Sequence, residues 1–129
     1  MELHDKLVEH LGLDAALTPE QAAQILVGAA GYARDALRAL EECGRPELDG
    51  TALRDLTKRA AVIEAHLRAL HHLAVDRCDD AAVKDIPVAV GANLEVAAKC
   101  RHLIVARSAA VEQEVMILRA PLPAYRHVC

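Results

Sequence analysis

The stretch EAHLRALHHLAVDRC, residues 64–78, carries His66, His71, His72, Asp76 and Cys78 within four helical turns. Imidazole, thiolate and carboxylate are the side chains that hold transition metals, and histidine also ligates haem iron. Spacing decides whether they can do so together. On an α-helix, two ligands share an ion only at i,i+3 or i,i+4. His66 and His71 are five residues apart, which turns them ~140° away from each other at ~100° per residue. His71 and Cys78 share a face but lie ~10 Å apart along the axis, at ~1.5 Å per residue. Only His72 and Asp76 have chelating spacing, and one pair is half of what a structural zinc takes.

Further ligands would have to come from another segment. If the chain folds as an antiparallel helical hairpin about residue 82, His66 comes level with about residue 98, within a turn or so of Cys100 and His102. A cluster of His66, His72, Asp76, Cys100 and His102, with His71 and Cys78 nearby, is therefore the alternative reading: a small-molecule, metal or haem-binding bundle. The leading expectation is simpler. The histidines flank a packed seam as solvated or hydrogen-bonded side chains, and no cofactor is implied.

Other chemistry finds less support. The one serine, Ser108, has no glycine-flanked elbow around it, and neither has any cysteine. No phosphate-cradling GxGxxG or GxxxxGK[ST] pattern occurs; GAAG, residues 28–31, falls inside a helical segment and reads as packing glycine. The neighbouring carboxylates Glu41–Glu42, Asp79–Asp80 and Glu112–Glu114 sit at helix ends or on polar faces, where charges ordinarily meet water. EAHLRAL lacks the lysine and glycine that would follow a phosphoacceptor histidine. The expectation is a protein that is not an enzyme.

The elements that position these residues are helical. A chain of 129 residues fits one domain. Hydrophobic residues make up 53% of it, yet Tyr32 and Tyr125 are the only aromatics, so the core is aliphatic and rich in alanine. Small, straight side chains suit close-packed helices better than a sandwich or barrel. The net charge of −4 is concentrated in residues 1–44, and no basic block offers itself to a nucleic acid. The opening MELHDKLVEH has no signal-peptide pattern. The longest uncharged run, residues 21–33, is shorter than the ~20 apolar residues of a membrane span. A soluble, cytoplasmic protein without membrane contact is expected. Cys43, Cys78, Cys100 and Cys129 form no CxxC pair and read as free thiols.

Leu3, Leu7 and Leu11, closed by Gly12, predict a short helix over 1–12. TPEQ at 18–21 offers a capping threonine, a proline at the first helical position and a glutamine for a capping box, so a long helix spans 18–43. Gly28 and Gly31 lie in its middle, where each costs about 1 kcal/mol relative to alanine; a backbone approaching closely would account for them. Leu53, Leu56, Ala60, Ile63, Leu67, Leu70 and Ala74 alternate three- and four-residue steps without a break, a bundle or coiled-coil seam along a helix over 50–78. Residues 86–118 are apolar around most of the circumference and lack turn residues after 92, which favours one long helix over two strands. Residues 119–129, with two prolines, read as an extended tail.

One all-α domain follows, an antiparallel bundle of one short and three long helices. Three long helices leave an apolar face, so a homodimer is expected to complete it, with another protein as a further possible partner. The function this implies is that of a non-enzymatic interaction or assembly protein, adaptor or chaperone-like. Its expected contact residues are Gly28, Gly31, Leu56, Ile63, Leu67, Leu70, Val111, Val115 and Leu118.

Overall fold

The computed structural model describes residues 16–78 and 83–119, apart from the side chains of Val115, Leu118 and Arg119. Three helices account for nearly all of it: α1 (Pro19–Cys43), α2 (Gly50–Arg77) and α3 (Ile86–Arg119). No strand occurs among the described residues. The expected short helix over 1–12 and the tail from residue 120 onward lie outside the described residues, so the fold shown is three helices rather than four.

Local sequence explains where each helix starts. Thr18 caps α1: its Oγ accepts the Gln21 N–H at 3.2 Å, while the Gln21 side chain accepts the Thr18 N–H at 3.0 Å. Two N–H groups that the helix leaves without carbonyl partners are thereby satisfied. Asp49 caps α2 by accepting the Ala52 N–H at 2.8 Å. α3 starts after Asp85, whose carbonyl accepts the Ala89 N–H at 3.1 Å, with Pro87 in its first turn. Val88, Val90 and the His102–Ala106 run are helical, because alanine-rich continuity without a turn residue outweighs their β propensity.

Cross-links define the topology. The Leu17 N–H bonds to the Arg77 carbonyl at 2.8 Å, pinning the start of α1 to the end of α2. Arg59 reaches Glu42 at 2.9 Å near the other end of the same pair. Glu64 of α2 meets Arg101 of α3, and Arg54 meets Glu112 at 3.2 Å, so these two helices run antiparallel. α1 and α3 are consequently parallel, in an up–down–up arrangement in which all three pairs of helices touch.

The predicted seam of α2 is the centre of this bundle. All seven of its residues, from Leu53 to Ala74, are buried. They meet Ala22, Ile25, Ala29, Ala36 and Ala39 of α1 and Val90, Ala97, Cys100 and Ile104 of α3. Leu53, Leu67, Leu73, Val90 and Ile104 are fully enclosed, each contributing ~1.5–3 kcal/mol through removal from water. The alanines let α1 lie close, which large side chains would prevent. Leu56, Ile63, Leu67 and Leu70, among the expected contact residues, pack between the helices of this one chain, because three helices suffice to enclose one stripe from each.

The mid-helix glycines of α1 lie away from this packing. Gly28 is exposed with nothing within 4 Å of where a Cβ would stand, and at Gly31 only the Arg34 guanidinium lies near, at 3.8 Å. Among the described residues, no backbone approaches either one. The tight position is Gly91, where an added Cβ would meet His71 Nε2 at 3.2 Å. Gly28→Ala is therefore expected to raise stability by ~0.5–1 kcal/mol through helix propensity alone. Gly91→Ala should gain less, and Gly91→Leu should lose ~1–3 kcal/mol by overpacking. Urea denaturation of the three variants checks this order.

Candidate functional site

The histidines of residues 64–78 separate on folding. His66 is half-buried, its ring 5.2 Å from that of Tyr32 on α1 at 33°. Its Nδ1–H donates to the Val62 carbonyl at 2.8 Å, which leaves Nε2 as the acceptor in the neutral ring. His71 is half-buried against Gly91. His72 and Asp76 are exposed, on the outer side of α2. Cys100 points into the core and His102 two residues later points out. That reversal follows from ~200° of rotation over two residues, so Cys100 and His102 cannot both turn to His66. Among the described residues, no three His, Cys, Asp or Glu side chains come together as metal ligands.

Burial also settles the character of two thiols. It raises the pKa of Cys43 and of Cys100 above the ordinary 9.0, with the Arg107 charge partly opposing the rise at Cys43. Neutral, enclosed thiols are poor nucleophiles. In the native protein both should react with a thiol reagent at least ~100-fold more slowly than in the denatured chain, by mass spectrometry of labelled peptides. The sign of the pH effect follows. The folded chain holds these protons after the unfolded chain has begun to release them, so their contribution is complete below pH 9.0 and is lost as pH rises further.

Of the neighbouring carboxylates, Asp79 and Asp80 lie outside the described residues. Glu42 and Glu112 pair with Arg59 and Arg54 across helices, and Glu41 is exposed. Glu64 is the exception in burial: its side chain is 6% exposed and is clasped by Arg68 of its own helix at 3.1 Å and by Arg101 of α3. The i,i+4 spacing of Glu64 and Arg68 is visible in the sequence; the arrival of Arg101 from 37 residues away is not.

An open cleft of about 700 Å³ lies where the start of α2 meets the end of α3, lined by Leu48, Asp49, Thr51, Arg54, Glu112 and Met116 among others. Its charged groups are already engaged, Asp49 in capping Ala52 and Arg54 with Glu112. Val111, an expected contact residue, is half-buried against the core cluster around Leu53, Leu56 and Ile104. Val115 and Leu118 lie on the last turns of α3, and their side chains are outside those described.

Among the described residues, none covers the outer side of α3. Its buried line is Val90, Ala97, Cys100, Ile104 and Ser108. Away from that line, Val88 (74% exposed), Leu103 (56%), Met116 (71%) and Ile117 (60%) stand in solvent. Val96, Leu103, Ala110 and Ile117 recur every seven residues, and all four are exposed. A helix apolar nearly all round conceals this second period, because the residues of the inner line mask it in the sequence. Among the described residues, no helix is long and apolar enough to cross a membrane.

The fold and this surface define a three-helix bundle with an apolar outer stripe on its longest helix. Compared with protein families, curated proteins and solved structures, the chain matches none.

Proposed function

We propose that this protein is a non-enzymatic helical interaction module, an assembly or adaptor protein that acts through helix–helix contacts and self-associates. The observation that carries the reading is the exposed stripe Val96, Leu103, Ala110 and Ile117 on α3. Apolar side chains at seven-residue intervals are what one helix presents to another. Exposed in a row, they cost solvation free energy that a partner helix recovers. The inner face is used up in closing the bundle, so the contact surface belongs to α3 rather than to the α2 seam.

Light scattering coupled to size exclusion tests the proposal. The wild type should show a mass above that of one 13.9 kDa chain, increasing with concentration. Leu103→Lys together with Ile117→Lys should return it to a monomer with unchanged helicity. A wild type that stays monomeric up to ~200 μM, where contacts weaker than about −5 kcal/mol would escape detection, defeats the self-association reading.

A further inference from the structure

The outer face of α3 is bordered on one edge by two charges that no other described residue pairs with. Arg107 and Glu114 are both exposed, and they lie one heptad apart along the helix. Among the described residues, neither belongs to an ion pair, whereas Arg54, Arg59, Arg68 and Arg101 all do. α1 is 25 residues long and α3 is 34. Cys43, the last residue of α1, packs in one cluster with Ile104 of α3, a turn before Arg107. The turns of α3 after Arg107 therefore run past the end of α1, ~18 Å of helix at ~1.5 Å per residue.

From this edge we infer that the occupant of the stripe is a second copy of the same chain, its α3 lying antiparallel across a two-fold axis beside Ala110. The inference rests on the self-association reading above and gives it a geometry. Three features converge on that axis. Leu103 and Ile117 are each seven residues from Ala110, so the two-fold sets Leu103 of one chain on the partner's Ile117, twice. Ala110 at the centre, with Ala106 one turn away, lets the two helices approach closely where they cross. Arg107 then faces the partner's Glu114, and the partner's Arg107 faces Glu114, giving two opposite-charge pairs from one symmetric operation.

Orientation is decided by the same charges. In a parallel pair, Arg107 and Glu114 meet His102 and Ala109 of the partner's other edge, neither of which offers an opposite charge, and that edge's carboxylate, Glu95, lies a heptad too early to reach Arg107. Only the antiparallel pair brings the edge against itself. The contact involves roughly 15 residues a side, below the ~20–30 of a standard interface, so the dimer is weak and dissociates in the micromolar range. Salt weakens it further, because both charge pairs are at the solvent boundary.

The test combines charge reversal with cross-linking. Arg107→Glu and Glu114→Arg should each weaken dimerisation at least ~10-fold in sedimentation equilibrium, since each creates two like-charge contacts. The double variant should recover to within ~3-fold of wild type, a rescue that general damage to the fold does not produce. With the four native cysteines replaced by alanine, Ala110→Cys should form an intermolecular disulfide under mild oxidation. Leu103→Cys should not, because its copies lie ~20 Å apart across the axis. A dimer that ignores both reversals and leaves Cys-substituted position 110 unlinked overturns this interface while self-association stands. A strictly monomeric wild type overturns both.

Discussion

Leu67→Ala is expected to lower the unfolding free energy by about 3 kcal/mol, the largest effect of any single truncation in the bundle. Leu67 is fully enclosed and lies on the α2 seam, in a cluster with Ala29 and Ala36 of α1 and Ala97 and Cys100 of α3. Alanines cannot swing in to fill a vacated leucine volume, so the cavity stays open and its lining loses dispersion contacts. Thermal unfolding should begin lower by ~10 °C for a chain of this size. Val62→Ala, on the solvent side of the same helix and 54% exposed, is the control and should change stability by no more than ~0.5 kcal/mol. Chemical denaturation of both variants makes the comparison. Equal losses at the two sites would mean that the seam is not the centre of the core.

The second large effect is expected at Glu64. Its carboxylate is buried, and it joins α2 to α3 by accepting from Arg101 while Arg68 holds its other oxygen. Glu64→Ala removes the acceptor for two guanidinium groups. Arg68 is 55% exposed and turns to water at little cost, but Arg101 is only 31% exposed and leaves part of its charge enclosed without a partner. A loss of ~2–3 kcal/mol is expected, at the lower end of the range for breaking a buried pair because one partner is already half in solvent. Replacing both partners, with Glu64→Leu and Arg101→Leu, should recover most of it, since no charge is then left enclosed. A double-mutant cycle read by urea denaturation separates the two contributions. If the double replacement is as unstable as Glu64→Ala, the site's value lies in packing rather than in the ion pair.

Both expectations concern features of different legibility. The Leu67 position follows from the alternation of three- and four-residue steps over Leu53–Ala74, because only residues on one face of an α-helix can be shielded together. The capping residues Thr18 and Asp49 were equally plain, since a cap is satisfied within three residues of itself. Glu64 was not. Its neighbour Arg68 is local, but Arg101 is reached only when α3 folds back, and the register of that return is set by packing along both helices.

The histidine cluster shows the same division. Intrahelical spacing alone rules out His66 with His71, and His71 with Cys78, as chelating pairs. Whether Cys100 and His102 joined His66 depended on the rotation of α3 about its axis. Packing turned Cys100 inward, beside the small alanines of α1, and His102 two residues on was carried to the opposite side.

Helix identity, helix limits and the inner stripe of α2 were determined by the sequence alone, because they rest on local hydrogen bonds and on a period of 3.6 residues. The rotation of α3, the close approach at Gly91 and the closure of the bundle within one chain were decided only in three dimensions. α3 is apolar on nearly every side, so its sequence does not choose which side faces inward. That choice falls to the surfaces of α1 and α2, and it is what leaves Leu103, Ala110 and Ile117 outside.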